Sequence, residues 1–431
     1  MRRTGLLACL VLAGCATAES DDEGGRFRGP PDALVGGGLD GGIPGATASR
    51  LLFYQLGADS YLASAAGTDA RKICENAVAY PDASGQRALC RPETSDQPLR
   101  LYDVSNDLHL VEFSDWRASN LGPPLLSPEG TRVAFKGEDD DFHTLVRVFD
   151  ENGVLVDEVQ AFELLGFARD DVLVVDMNQP ALWKIGSDPV VIGGSNPMAT
   201  GPDPAGLVFE RFSPSEKVYF HDADTGRARE LADGILADVY GDRVLVLQND
   251  PNEPGLKRGL LLDLKDSAFE KYIAAPRVPF DRTLKLRLTG PSTVIAELSS
   301  FSTCGVAAVE VPTRTTWFDT ARDEVFEVDD TGGQAHLASI DQRGERALVL
   351  DVDACGNPLG SGRIKNLRTG EVVRLAELIE GAFSAAALSP DGRFVAVSQA
   401  DGVRVIDLAS MPPIARPASS GAPGGTSLVF R

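Results

Sequence analysis

Eight times along these 431 residues an apolar run closes on Asp, Asn or Gly, turns through polar or glycine residues, and resumes as a second run. The closing residues are Asp103, Asp150, Gly186, Asp222, Asp263, Asp319, Asn366 and Asp407, and their spacing averages about 43 residues. A unit of that length cannot bury both faces of its own strands, so it belongs in an array in which each copy shields the next. At this period the array is a β-propeller, a circle of four-stranded blades around a channel. The chain is expected to be all-β with eight blades, or seven, because the stretch between Cys74 and Pro98 is irregular.

Two segments say the same thing almost letter for letter. Leu126, Ser127, Pro128, Glu129, Gly130, Thr131, Arg132, Val133, Ala134 match Leu388, Ser389, Pro390, Asp391, Gly392, Arg393, Phe394, Val395, Ala396. Pro presets φ, Gly takes the left-handed position, and strand formers follow. Weaker copies run from Asp171 to Val175, Lys217 to Phe220, Asp242 to Leu247, Ser292 to Leu298 and Glu345 to Val352. Their apolar residues are nearly continuous, as in Val244, Leu245, Val246 and Leu247, the pattern of a strand covered on both faces. The turns Asp222 to Gly226 and Asn366 to Gly370 are expected to join the outer strands of a blade. In the first unit, strands at Leu51 to Tyr54, Leu99 to Asp103 and Leu108 to Phe113 lack an innermost partner, which Ser427 to Phe430 would supply by closing the ring.

These Ser-Pro-acid-Gly units and Thr-Gly turns resemble the TolB-type and related bacterial WD-like propeller repeats. The resemblance runs from about Ser49 to the end and is sharp at two units. It implies the propeller fold. No Trp-Asp closing pair is present, and Leu231 and Leu375 stand where quinoprotein propellers place a docking tryptophan, so no quinone cofactor is expected. The separate domain that TolB carries before its propeller has no counterpart in residues 16–49, and the Tol role is not carried over.

Arg2 and Arg3, the apolar run Gly5 to Leu12, and small residues before Cys15 have the layout of an export signal. The run is too short to span a bilayer. Leu12, Ala13, Gly14 and Cys15 resemble the lipobox of bacterial lipoproteins, which implies that Cys15 is lipidated and holds the chain to the membrane. In that family an Asp after the cysteine marks inner-membrane retention; Ala16 favours the outer membrane. Residues 1–14 are thus expected to be a signal peptide, 15–48 a flexible Gly, Pro and Asp-rich tether, and 49–431 the propeller. Gly36, Gly38 and Gly41 satisfy G-x-G-x-x-G only by chance, with no strand before or helix after.

Acids outnumber bases, 63 against 41, for a net charge of −22. Nucleic acid is therefore not an expected partner, and anionic lipid heads would be repelled, leaving the membrane contact to the lipid on Cys15. A single copy is the expected state.

Long connections cluster between second and third strands: Gln55 to Pro98, Gly137 to His143, Asn249 to Gly259, Ser299 to Thr315, and Asp353 to Arg363. Such loops project from one end of a propeller, which makes that end the expected binding face for a protein, peptide or glycan. Tyr61, Phe142, His143 and Phe301 are the candidate contact residues. Cys74, Cys90, Cys304 and Cys355 lie in the same loops; sharing of one loop pairs Cys74 with Cys90, and matching loops of adjacent blades pair Cys304 with Cys355.

No catalytic or metal-ligating set emerges. His109, His143, His221 and His336 are not at ligand spacing, and the cysteines form no C-x-x-C. The acidic run Glu138 to Asp141 lacks the spacing of a calcium loop. There is no G-x-S-x-G and no P-loop, so a non-catalytic binding or scaffold module is favoured, with no cofactor. The alternative is an envelope hydrolase or lyase whose residues converge from several blades at the channel mouth.

Overall fold

Each near-continuous apolar run is the second strand of a four-stranded antiparallel sheet, and nine such sheets form among the described residues. The computed structural model describes residues 51–430 apart from 83, 93–96, 115, 117–123, 139–142, 213–214, 254–255, 275–281, 305–306, 330–334, 342, 411–412 and 419–423. The expected signal peptide, Cys15 and the tether lie outside these residues, as do Phe142 and the side chain of Cys304.

From the channel outward the strands of each blade are named A to D. Blades 2 to 9 occupy residues 77–113, 125–160, 163–191, 195–233, 235–274, 282–329, 335–374 and 383–417, each in the order A, B, C, D. Blade 1 takes B, C and D from Leu51–Leu56, Asp59–Ser64 and Arg71–Cys74, and its strand A from Gly424–Phe430. Leu52 pairs with Phe430 and Leu56 with Gly424, so the last strand closes the ring, as the sequence implied. Leu52, Tyr54 and Phe430 then pack against Phe394, Ala396, Val403 and Val405 of blade 9.

The count is nine, where the sequence predicted eight or seven. Residues Gln55 to Pro98, read as one irregular insertion, hold four further strands: Asp59–Ser64, Arg71–Cys74, Ala77–Pro81 and Arg87–Pro92. The apparent first unit is therefore two blades. The reason lies in the turn cap. At most other C–D turns a carboxylate or amide oxygen at the strand end takes the free N–H groups: Asp103 accepts from Ser105 and Asn106, Asp222 from Asp224 and Thr225, Asp319 from Ala321 and Arg322, and Asn366 from Arg368 and Thr369. In blade 1 the same place is held by Ser64, whose Oγ accepts from the Thr68 N–H at 3.1 Å, so a search for Asp, Asn or Gly passes it by.

The A–B turns explain the repeated Pro-acid-Gly unit. Gly130, Gly344 and Gly392 have φ of +71°, +63° and +68°. Each also lies hard against a side chain of the preceding blade: Gly130 against Asp82 and Arg87, Gly344 against the Trp317 indole, Gly392 against Asp341. Glycine is thus required for the turn and for the seam. Basic side chains tie the seams further. Arg87 donates to the Gly130 carbonyl at 2.6 Å and Arg346 to that of Gly392 at 2.7 Å. Nearer the perimeter Arg71, Arg229 and Lys271 donate to the carbonyls of Val104, Leu264 and Thr320, each the residue after or next to a C-strand end in the following blade.

Trp317 is fully buried, so it cannot yield to an added methyl group. Gly344→Ala should lower the thermal midpoint clearly more than Gly226→Ala, which has a similar φ of +66° but open space around it. The shared left-handed strain is worth about 1 kcal/mol, and the overpacking adds about 1–3 kcal/mol at Gly344 alone. Equal losses in the two variants would show that the seam contact contributes nothing.

Burial pushes the Asp341 carboxyl above the usual carboxylate range, against the pull of N–H groups from Glu345 and Arg346. Asp82, in the same place between blades 2 and 3, is pushed up for the same reason. Because the folded pKa is the higher one, the charged form weakens the fold at neutral pH, and the burden lifts as pH falls through that value. Asp341→Asn should therefore be most favourable relative to the parent at pH 7, and the difference in thermal midpoint should shrink toward pH 4. A difference that grows on acidification would contradict this assignment.

Candidate binding face

Strand direction alone separates the two ends of the ring. Strands A and C run toward one end, B and D toward the other, so every A–B and C–D turn lies at a turn end and every B–C and D–A connection at a loop end. The turns carry the repeated seam contacts. The loop end is where the chain varies.

Blade 7 shows the largest variation. The predicted loop Ser299 to Thr315 is in fact an extension of the sheet, with Thr293–Cys304 and Ala307–Asp319 paired, through a register shift between Leu298 and Ser299, out to Cys304 opposite Ala307. Alternating side chains keep the hairpin rooted: Ser299 and Val311 are buried, whereas Phe301 is 61 % exposed. In blade 8 the Asp353 carboxylate caps a tight turn through the N–H groups of Cys355 and Asn357, and strand C restarts at Pro358.

At the inner margin of this end the B strands share a rule. After three buried apolar residues the fifth position is polar in seven blades, as Gln55, Arg91, Lys136, Asp176, Glu210, Glu297 and Ser398. In blades 6 and 8 the polar residue is the sixth, Gln248 and Asp351. Several of these groups fix the D–A connection beside them. Lys136 donates to the Phe162 carbonyl at 3.1 Å and to Glu163 at 2.8 Å. Glu210 accepts from the Leu236 N–H at 2.6 Å. Gln248 donates to the Asp233 carbonyl at 2.7 Å, and Gln399 to that of Glu380 at 2.6 Å. The loop end is thus set on a polar girdle that holds the connections in place.

Among the described residues three phenylalanines are strongly exposed, Phe162, Phe212 and Phe301, and all three belong to the loop end: a D–A connection after blade 3, the B–C connection of blade 5, and the hairpin of blade 7. Leu359 joins them at the start of strand C in blade 8. Of the other exposed large apolar residues, Val154 lies in the C–D turn of blade 3, and the rest, such as Leu108, Leu155, Val190, Tyr272, Val325 and Ile414, lie on outermost strands around the perimeter.

The predicted contact residues do not come together as one cluster. Phe301 is exposed on the hairpin of blade 7. His143 is exposed just before strand C of blade 3. Tyr61 is not a rim aromatic: it is half-buried, stacked on Tyr54 with centroids 5.6 Å apart, and packed against the core shared by blades 9 and 1. Phe162 and Phe212 were missed because both sit in short connections; each is a lone large apolar residue among polar or small neighbours, the one signal the sequence offered.

Cys74 and Cys90 are bonded, with Cα atoms 5.5 Å apart, and staple strand D of blade 1 to strand B of blade 2. A shallow notch beside the bridge is lined by Pro92, Gln97, Arg100 and His109. Cys355 is also disulfide-bonded. The histidines stay apart, on blades 2, 3, 5 and 8. Desolvation lowers the pKa of His221 against the opposing pull of Asp222, so it is neutral at pH 7. Among the described residues no group of three or more His, Cys, Asp or Glu could hold a metal ion, and no helix is long and apolar enough to cross a membrane.

No protein-family model and no curated protein matches the chain. Solved structures do. A eukaryotic initiation factor aligns over 89 % of this chain and 98 % of its own at 11 % identity, with a TM-score of 0.59. The propeller domain of the Trilobed protease from Pyrococcus furiosus aligns over 76 % and 95 % at 13 % identity, with a TM-score of 0.39. TolB from Acinetobacter baumannii aligns over 78 % and 80 % at 14 % identity, with a TM-score of 0.29. The first of these, at 11 % identity, is a likeness of fold alone. The described residues form a β-propeller of nine blades, closed by strand Gly424–Phe430.

Proposed function

We propose that this chain is an exported, lipid-anchored propeller of the cell envelope that binds a protein, peptide or glycan with its loop end and catalyses nothing itself. The observation that carries this reading is the placing of Phe162, Phe212 and Phe301 together at the end that bears the insertions, while the turn end is given over to seam contacts. Exposed aromatic side chains dominate the energetics of many interfaces. Phe301 on its hairpin strand, and Phe162 in a connection of two residues, also have little entropy to lose on binding. The anchor rests on Leu12, Ala13, Gly14 and Cys15, and Ala16 directs it to the outer membrane.

Replacing Cys15 by Ser should move the protein from the membrane fraction to the soluble fraction of lysed cells; retention in the membrane would point to another attachment. For binding, the combined variant Phe162→Ala, Phe212→Ala and Phe301→Ala should recover at least about tenfold less of the main crosslinked partner from intact cells, the loss of little more than 1 kcal/mol. Val190→Ala, equally exposed on the outermost strand of blade 4, should recover it in full. Unchanged recovery by the triple variant would remove the loop end as the binding face.

A further inference from the structure

The termini enter the ring at one end, and this fixes how an anchored disc would stand. Because Leu52 pairs with Phe430 and Leu56 with Gly424, residues 51 and 430 lie together at the turn end, where the A–B turn of blade 1 would otherwise be. The chain that leads back to Cys15 therefore leaves from beside the channel on the side opposite Phe162, Phe212 and Phe301. We infer that the anchored protein holds its turn end toward the bilayer and its loop end away from it, so that the three phenylalanines meet a protein outside the anchoring membrane and not the lipid surface.

This rests on the lipid anchor proposed above, and its geometry can be weighed. Thirty-five residues separate Cys15 from Leu51, and a chain of that length would reach on the order of 30 Å as a coil. To lie with the loop end down, it would have to cross from strand B past C and D, about 10 Å, and then pass a blade edge of about 20 Å of strand plus turns and loops. That route, roughly 40 Å, exceeds the coil's usual span, whereas the turn end is reached directly. Full extension could make the detour, so the orientation is a strong bias and not a lock. The C–D turns carry Asp103, Asp150, Asp222, Asp263, Asp319 and Asp407. A reach of that size is several times the Debye length of about 8 Å, which would let these acids stand clear of anionic headgroups without turning the disc over.

The test uses two single labels, on Thr225→Cys at a C–D turn and on Asn252→Cys at a B–C connection, both exposed. The lipidated chain, its disulfides intact, is reconstituted in phosphatidylcholine vesicles containing an acceptor dye, and energy transfer is compared. A second arm replaces residues 1–14 with a histidine tag, changes Cys15 to Ser, and attaches the chain to a nickel-chelating lipid. Transfer from the label at 225 should exceed that at 252 roughly twofold in both arms, reflecting about 20 Å or more of height. Equal transfer, or greater transfer from 252, in the tagged arm would overturn the inference; the latter would make the phenylalanines a lipid-inserting surface. A bias in the tagged arm with no vesicle binding by the Cys15 chain would leave the orientation standing and overturn only the lipid anchor.

Discussion

Strand B of every blade is covered on both faces, and this single requirement organises the molecule. Val133, Val174, Leu207, Val244, Val294, Leu348 and Val395 are all fully buried, and the residues beside them point the opposite way into equally dry surroundings. One sheet cannot do this. Leu245 packs with Ile273, Leu286 and Leu288 toward blade 7, while Val244 and Val246 pack with Val208 and Val218 of blade 5. Each such side chain contributes about 1.5–3 kcal/mol only if the blade it faces is present, so the strand as a whole needs both neighbours. An open row of nine blades would leave its end sheets wet on one face. The pairing of Leu51–Leu56 with Gly424–Phe430, and the packing of both on blade 9, removes that exposure.

With the core committed to blade-to-blade contact, the two ends of the ring divide the remaining work. The turn end is a joint. Its glycines are pressed against Asp82, Trp317 and Asp341, its basic side chains donate to carbonyls of the next blade, and its aspartates saturate their own turns. Little there can change without opening a seam. The loop end bonds across seams only at its inner margin, through groups such as Lys136 and Glu210 and the Cys74–Cys90 bridge, and beyond them it carries the extended hairpin of blade 7 and the exposed phenylalanines. Beneath it, Lys136, Glu210, Gln248 and Gln399 hold the connections to the sheets, which is what keeps a variable surface from being a loose one.

Sequence reading reached the fold because the turn chemistry is written locally. Pro, an acid and Gly specify the A–B turn wherever they occur, and an Asp at the strand end specifies the C–D turn. It lost a blade where Ser64 does the work of an aspartate and where strands of four to six residues follow one another with no long apolar run. The site was less legible for a different reason. Whether an aromatic is displayed or packed depends on partners distant in the chain: Tyr61 stacks on Tyr54 and is lost to the core, and Phe301 is lifted clear only because residues 293–319 pair as one long hairpin. Phe162 and Phe212 sit in connections too short to draw notice, yet these lie at the same end as the long ones.

Ring closure by the last strand is the claim on which the rest stands, and native-state hydrogen exchange reads it directly. Those backbone amides of residues 428–430 that bond to strand Leu51–Leu56, and the amides of 52–54, should exchange as slowly as those of Val395, Ala396 and Val397 in the core of blade 9, because all would open only with the ring. Exchange at 428–430 orders of magnitude faster than at 395–397, with 52–54 following it, would mean that the circle is open and that blade 1 is held on one side alone.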